Sequence, residues 1–180
     1  MIDLPFADFV GKLQLSHTRV KFSQADAYGH MSSGHYVNLA FDHRIEAMKD
    51  QVQFDPLSLM KTHKLAFFAR DVRLTFVAPA ATGDALEIAS WLRAFSERDH
   101  EIRVVVVGEQ DRIARALITL QFIFVDVQTG KPAPTVASFP SSADRNLVLE
   151  LPAVGPYLDT VKNLPRGWKE EAAAAPPQEK

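Results

Sequence analysis

Residues 22–48 constrain this chain more than any other stretch. They read Phe22-Ser-Gln-Ala-Asp26-Ala-Tyr-Gly29-His30-Met-Ser-Ser33-Gly34-His-Tyr36-Val-Asn-Leu-Ala-Phe41-Asp42-His-Arg44-Ile-Glu46-Ala-Met48. Val37, Phe41, Ile45 and Met48 recur at intervals of three and four, which predicts an amphipathic helix over residues 34–49. Tyr36 and Ala40 widen its apolar stripe, while Asn38, Asp42, His43, Glu46 and Lys49 take the other face. Ser32 or Ser33 is the expected N-cap. Just ahead of the helix, the turn from Asp26 to Gly29 holds one carboxylate.

The remaining hydrophobic patterning is that of strands. Residues 18–22 alternate, with Val20 and Phe22 opposite Arg19 and Lys21. Further strands are expected at 65–78, 86–95, 102–107 and 113–125, the third carrying the run Val104 to Val107 that suits a strand covered on both faces. Pro79 and the Thr82-Gly83-Asp84 turn close the first of these, and Thr129-Gly130-Lys131-Pro132 the last. Residues 50–63 read as a connector, 6–13 as a short lead-in helix through Phe6, Phe9, Val10 and Leu13, and 144–150 as another short helix. Short links between the later strands favour antiparallel pairing, and their apolar face needs a cover that only the 34–49 helix is long enough to give. The expectation is an α+β fold, a five-stranded antiparallel sheet wrapped around one long central helix. Trp91, Phe95 and the valine run leave the outer face apolar too, which calls for a second partner, a further copy of the chain.

Composition bounds the function classes. With 180 residues, 47% hydrophobic and 23% charged, the chain suits one globular domain, read here as 1–165 with a core at about 18–140 and a disordered tail at 166–180. A net charge of −2 without a basic stripe argues against nucleic acid. The absence of cysteine excludes disulfides, thiolate metal sites and a cysteine nucleophile. The first nine residues lack the basic and apolar regions of a signal peptide, and no apolar run approaches the ~20 residues of a membrane span. A cytoplasmic protein is expected.

The stretch from Asp26 to Tyr36, followed by Arg44-Ile-Glu46, resembles the D-x-x-G-H-V-N-N-x-x-Y…R-I-E signature of hotdog-fold acyl-CoA thioesterases, in their 4-hydroxybenzoyl-CoA thioesterase-like branch. Leu74-Thr-Phe-Val-Ala-Pro79-Ala-Ala-Thr-Gly83-Asp84-Ala-Leu86 and Asp126-Val-Gln-Thr-Gly130-Lys131-Pro132 resemble that family's later motifs, in the same order. The resemblance covers about residues 18–140 and implies the hotdog fold. It further implies hydrolysis of an acyl-CoA thioester to free acid and CoA. Asp26 would attack the carbonyl or activate water, and the N–H groups of Ser33 and Gly34 at the helix start would form the oxyanion hole. His30 and Tyr36 would border the substrate. No cofactor is needed, CoA being part of the substrate, although a carrier-protein thioester is an alternative acyl donor. Relatives place the site between two copies, so a homodimer or a tetramer is implied.

The chemistry is coherent, because a helix N-terminus offers unpaired N–H donors and a positive dipole end to a developing oxyanion. Two departures stand out. Ser32-Ser33 replaces the family's Asn-Asn, and Phe41 sits where relatives often carry Glu. The spacing of eight between Gly34 and Asp42 also fits a second hotdog branch with its carboxylate on the helix, which makes Asp42 a reserve base. Each residue has a plainer reading. Asp26 can simply shape an Asx turn, His30 can bond within that turn, and Tyr36 and Met31 can be packing. Gly83-Asp84 reads as a hairpin turn, and Arg70 and Arg73 as surface charges. His30, His35 and His43 are not spaced for one helical face, so no metal is expected. A non-catalytic acyl-CoA-binding module and a hotdog hydratase are the competing functions; the hydratase lacks its usual Asp and His pairing here.

Overall fold

The computed structural model describes residues 13–52, 55–96, 99–133, 146–148, 155–159, 161–165 and 168–169. Most of the predicted lead-in helix and of the tail lie outside these. Five long strands, β1 (Gln14–Arg19), β2 (Leu65–Phe76), β3 (Ala85–Ser96), β4 (Asp99–Gly108) and β5 (Ala114–Asp126), pair antiparallel in the order β1-β3-β4-β5-β2. Two short strands extend the sheet, β6 (Lys131–Ala133) beside β5 and β7 (Asn146–Val148) beside β3. The long helix α1 (Ser33–Val52) crosses the inner face, and this is the hotdog arrangement.

The first strand sits four residues earlier than its alternation suggested. Val20 is buried as expected, but Phe22 lies in a 3-10 turn (Phe22–Gln24) and is 87% exposed. The connector holds a helix, α2 (Pro56–His63), with Asp55 capping it through Leu57 N–H at 3.1 Å and Lys64 closing it at φ 57°. Pro56 at the first helical position is a start signal that a connector reading passes over. Residues 146–148, expected within a short helix, pair as β7 instead, because β3 outruns β1 and leaves an edge free at Ala94–Ser96.

The stripe that α1 buries differs from the one its apolar spacing suggested. Tyr36, Ala40, His43, Arg44 and Ala47 are buried, whereas Ile45 is exposed and Phe41 and Met48 are half-buried. The small residue Ala40 lets the helix lie close to Ile88, Val104, Ala116 and Ile118. The two polar groups are accommodated by partners. Ser16 Oγ lies 2.6 Å from His43 Nδ1, and Ser90 Oγ lies 2.8 Å from Nε2. Arg44 donates to Gln14 and, at 3.1 Å, to Ser90 Oγ. Hydrogen-bonded polar groups on a buried face are stable there, and an isolated one is not.

The outer face has its own cover. Tyr157 and Leu158 of α3 (Gly155–Leu158), with Trp168, pack on Trp91, Val105 and Leu117. Trp168 is 3% exposed, meets Trp91 edge-to-face at 5.9 Å and lies under the Arg103 guanidinium at 4.7 Å. The expected second partner for this face is therefore the same chain's C-terminal segment, and Trp168 of the expected tail is packed.

Burial lowers the pKa of His43 and of His100 to about 4, the charge of Arg44 adding to the effect at His43. The unfolded rings titrate near 6.5, so in the window from about pH 6.5 to 4 the unfolded chain binds protons that the native one does not. Unfolding free energy should therefore fall as pH drops through this window, by at most roughly 3 kcal/mol per ring. Urea midpoints measured across it should decline, and His43→Asn should reduce that slope; a flat profile in the parent would contradict the burial argument.

Candidate active site

The Asp26 loop is built by two turns that hold each other. Asp26 Oδ1 accepts the N–H of Tyr28 at 2.8 Å and of His30 at 3.1 Å, and Asp26 N–H donates to the His30 carbonyl at 2.7 Å. Gly29 sits at φ +78°, where a side chain would strain the backbone. Its carbonyl accepts from Thr82 N–H at 3.0 Å, Met31 N–H donates to Ala80 at 2.8 Å, and Ser32 N–H donates to Gln24 at 2.9 Å. The Thr82-Gly83-Asp84 turn is fixed in turn by Asp84, whose Oδ2 accepts Ala81 N–H at 2.9 Å, and by Gly83 N–H donating to Val20 at 2.9 Å. Two of the sequence motifs are thus one structural unit, which delivers the chain into the start of α1.

One oxygen of Asp26 is engaged by the backbone; Oδ2 has no hydrogen bond among the described residues. At the helix start, His35 N–H donates to the Ser32 carbonyl at 3.0 Å. The N–H groups of Ser33 and Gly34, first and second in the helix, have no intrahelical acceptor. A Cβ built on Gly34 would meet nothing within 4 Å, so the approach to these amides is open. The structure brings Asp26, His30, Ser33 and Gly34 to one exposed end of the fold. Phe22 and Tyr28, four residues before and two after Asp26, are 87% and 85% exposed. Apolar rings so open beside a polar loop suit a surface that is covered in use.

Tyr36 stands apart from this group. It is 2% exposed, packs edge-to-face on Phe76 at 5.5 Å, and has its phenol hydrogen-bonded by the backbone of Ala80; burial raises its pKa. It supports the loop from beneath and offers a substrate no surface. Asp42 is exposed on α1, roughly 12 Å along the axis from Gly34 at 1.5 Å per residue. Within one chain it is remote from the Asp26 loop. Arg70 pairs with Asp99 at 2.6 Å and Arg73 with Asp71 at 2.8 Å, so neither is an idle cation. No group of three His, Asp or Glu that could hold a metal exists among the described residues, nor does a helix long and apolar enough to cross a membrane.

Reasoning from sequence missed a second polar centre, the Arg44–His43 cluster, because His43 was placed on the solvated face of the helix and Arg44 was read only as part of the Arg44-Ile-Glu46 motif. A cavity of about 240 Å³ adjoins it, between the second half of α1, α2 and the inner sheet face.

Residues 20–147 match the model of the thioesterase-like superfamily. The long-chain acyl-CoA thioesterase FadM of Escherichia coli strain K12 is 25% identical over 115 residues, 63% of this chain and 83% of the relative. Among solved structures, the probable thioesterase YbaW of Escherichia coli superposes with a TM-score of 0.61 at 21% identity, over 67% of this chain and 89% of that one. The DHNA-CoA thioesterase of Staphylococcus aureus gives 0.64 at 13% identity, over 71% and 84%. SAV2348 of Staphylococcus aureus, solved in complex with CoA, gives 0.63 at 10% identity, over 95% and 90%.

The two loop glycines should respond oppositely to alanine. Gly29→Ala forces a left-handed residue with a side chain and should cost about 1 kcal/mol or more. Gly34→Ala has open space and better helix propensity, so it should leave stability unchanged or raise it by up to about 1 kcal/mol. Thermal unfolding of both variants checks this; a destabilised Gly34→Ala would mean that the helix start is closed by contacts other than those described.

Proposed function

Because the chain belongs to the thioesterase-like superfamily, we propose that it hydrolyses an acyl-CoA thioester to free acid and CoA. The observation that carries the reading is the Asp26 loop. Its carboxylate is held on one oxygen by two backbone N–H groups, and the same loop ends in the open N–H pair of α1. A thioester carbonyl lying between them would have a nucleophile or base on one side and oxyanion donors on the other. With Asp26 as nucleophile, Oδ2 bonds to the carbonyl carbon and the C–S bond breaks. CoA leaves as thiolate, and water then hydrolyses the mixed anhydride. With Asp26 as base, water adds directly and its proton passes to the carboxylate. Thiolate is a good leaving group, so neither route needs a further acid. The names borne by FadM and the aligned thioesterase structures support thioester chemistry, and the CoA complex of SAV2348 supports CoA as the carrier. A carrier-protein thioester would present the same carbonyl.

The functional unit in this reading is a homodimer. Phe22 and Tyr28 beside Asp26, and Phe68 and Phe76 on the edge strand β2, are exposed apolar groups at the site's end and flank. An exposed edge of twelve residues is a ready pairing surface. The outer face is occupied by Trp168 and Tyr157, which favours association through the β2 edge rather than sheet on sheet.

Thiol release from short, medium, long and aromatic acyl-CoAs, read with a thiol-reactive dye, tests the proposal, since the chain has no cysteine of its own. Asp26→Asn should lower kcat by about 100-fold or more, and Asp42→Asn should leave it within a few fold. The active species should sediment as a dimer. The opposite pattern would assign the base to Asp42, and acyl-CoA binding without thiol release would make the protein a binding module.

A further inference from the structure

A buried cation faces the turn that supports the Asp26 loop. Arg115, at the start of β5, has a side chain only 10% exposed, and its Nη2 lies 2.7 Å from Asp111 Oδ2 and 3.9 Å from Asp84 Oδ2. Its backbone carbonyl accepts the N–H of Val77 at 2.9 Å and of Ala78 at 3.3 Å. Arg115 therefore meets both ends of the segment 77–84, the first through its main chain and the last through its side chain. Buried ion pairs add little to stability over an apolar replacement, and their attested use is to select one arrangement of the groups around them.

The segment between those ends carries the Asp26 loop. Ala80 accepts Met31 N–H at 2.8 Å, Ala81 bridges His30, and Thr82 N–H donates to the Gly29 carbonyl at 3.0 Å. Asp84 shapes the turn with the same Oδ2 that faces Arg115, which accepts Ala81 N–H at 2.9 Å. On the other side, the hairpin between β4 and β5 keeps the guanidinium in place. Asp111 Oδ1 accepts Ile113 N–H at 3.0 Å, and Glu109 N–H donates to the Ala85 carbonyl at 2.9 Å. Gly108 leaves the room: a Cβ there would collide with Asp111 Oδ1 and stand 2.6 Å from Arg115 Nη2.

We propose that Arg115 is a positioning residue for the Asp26 site: its guanidinium, held by Asp111, fixes the Asp84 turn, and that turn fixes the loop presenting Asp26. The inference rests on the proposed reading of Asp26 as the reacting carboxylate. Arg115 touches no substrate and acts only through order in the loop. Its loss therefore lowers the rate on bound thioester and leaves affinity nearly unchanged. A lysine keeps the charge but lacks the fork that reaches two carboxylates, so it restores part of the effect.

Steady-state kinetics on the fastest acyl-CoA, together with amide hydrogen exchange read by NMR on the full chain, provides the test. Arg115→Gln should lower kcat by about tenfold with KM within about twofold of the parent, and Arg115→Lys should fall between the two. In Arg115→Gln the amides of Tyr28, His30 and Thr82 should exchange about tenfold faster, while those of Val104 to Val106 keep the parent's rates. Adding Asp84→Asn to Arg115→Gln should cost less in kcat than the product of the two single losses, because both break one link. Gly108→Ala, which displaces the guanidinium and leaves its charge, should speed exchange at the same three amides, and this arm stands if Arg115→Gln fails to fold. Unchanged exchange at these amides would overturn the proposal, as would equal acceleration in the core, which would make Arg115 a residue of general stability. Fully multiplicative losses would overturn the route through Asp84. If the parent releases no thiol from any acyl-CoA, the hydrolase reading falls, and the exchange arm still decides whether Arg115 orders the loop.

Discussion

The candidate site depends on the hydrogen bonds between two turns far apart in sequence. The Gly29 carbonyl accepts from Thr82, Met31 donates to Ala80, and His30 bridges Ala81. Without them a loop carrying Asp26, Tyr28, Gly29 and His30, all exposed, has no core contacts of its own to fix it. With them, the loop has one conformation and α1 has a fixed start. The cost is modest, a glycine at φ +78° in one turn and at φ +91° in the other. Rigid delivery of a carboxylate and two amides to one end of the fold is what thioester chemistry requires, because misplacement by an ångström is expensive in rate.

A second constraint runs through the body of α1. The helix turns His43 and Arg44 inward, against β1 and β3, where alternating apolar residues would have been simpler. Gln14 and Ser16 of β1 and Ser90 of β3 meet them. Such an arrangement fixes helix register, since a slip of one residue would strand both groups.

Much of the fold was legible because its signals are local. Strand periodicity located β2 to β5 to within a few residues, and the run Val104 to Val107 is buried on both faces as its composition suggested. The Asp26, Gly29 and Gly83 turns were legible because each needs its residue type, two of them for a positive φ. What was not legible depends on pairing across the chain. The spacing of residues 33–52 puts Arg44 in line with Ala40 and Met48 but His43 on the polar face, and nothing local shows how either is accommodated inside, since their partners Ser16, Gln14 and Ser90 are remote in sequence. Tyr36 was placed beside the substrate by its motif position and is core by its contacts with Phe76 and Ala80. The cover of the outer face was assigned to another copy because Trp168 sits in a segment rich in Pro, Ala and charge. Its burial against Trp91 is a tertiary fact.

The central claim is that the start of α1 polarises a carbonyl held beside Asp26. The most direct measurement is the carbonyl stretching band of a thioester bound to the inactive Asp26→Asn chain. The label is carbon-13 at the carbonyl of whichever acyl-CoA is hydrolysed fastest. Donation from Ser33 and Gly34 to the oxygen weakens the C=O bond, so the band should fall below its frequency in water. A bound thioester whose band stays at or above the aqueous value would contradict the account, and the oxyanion donors would have to be sought elsewhere.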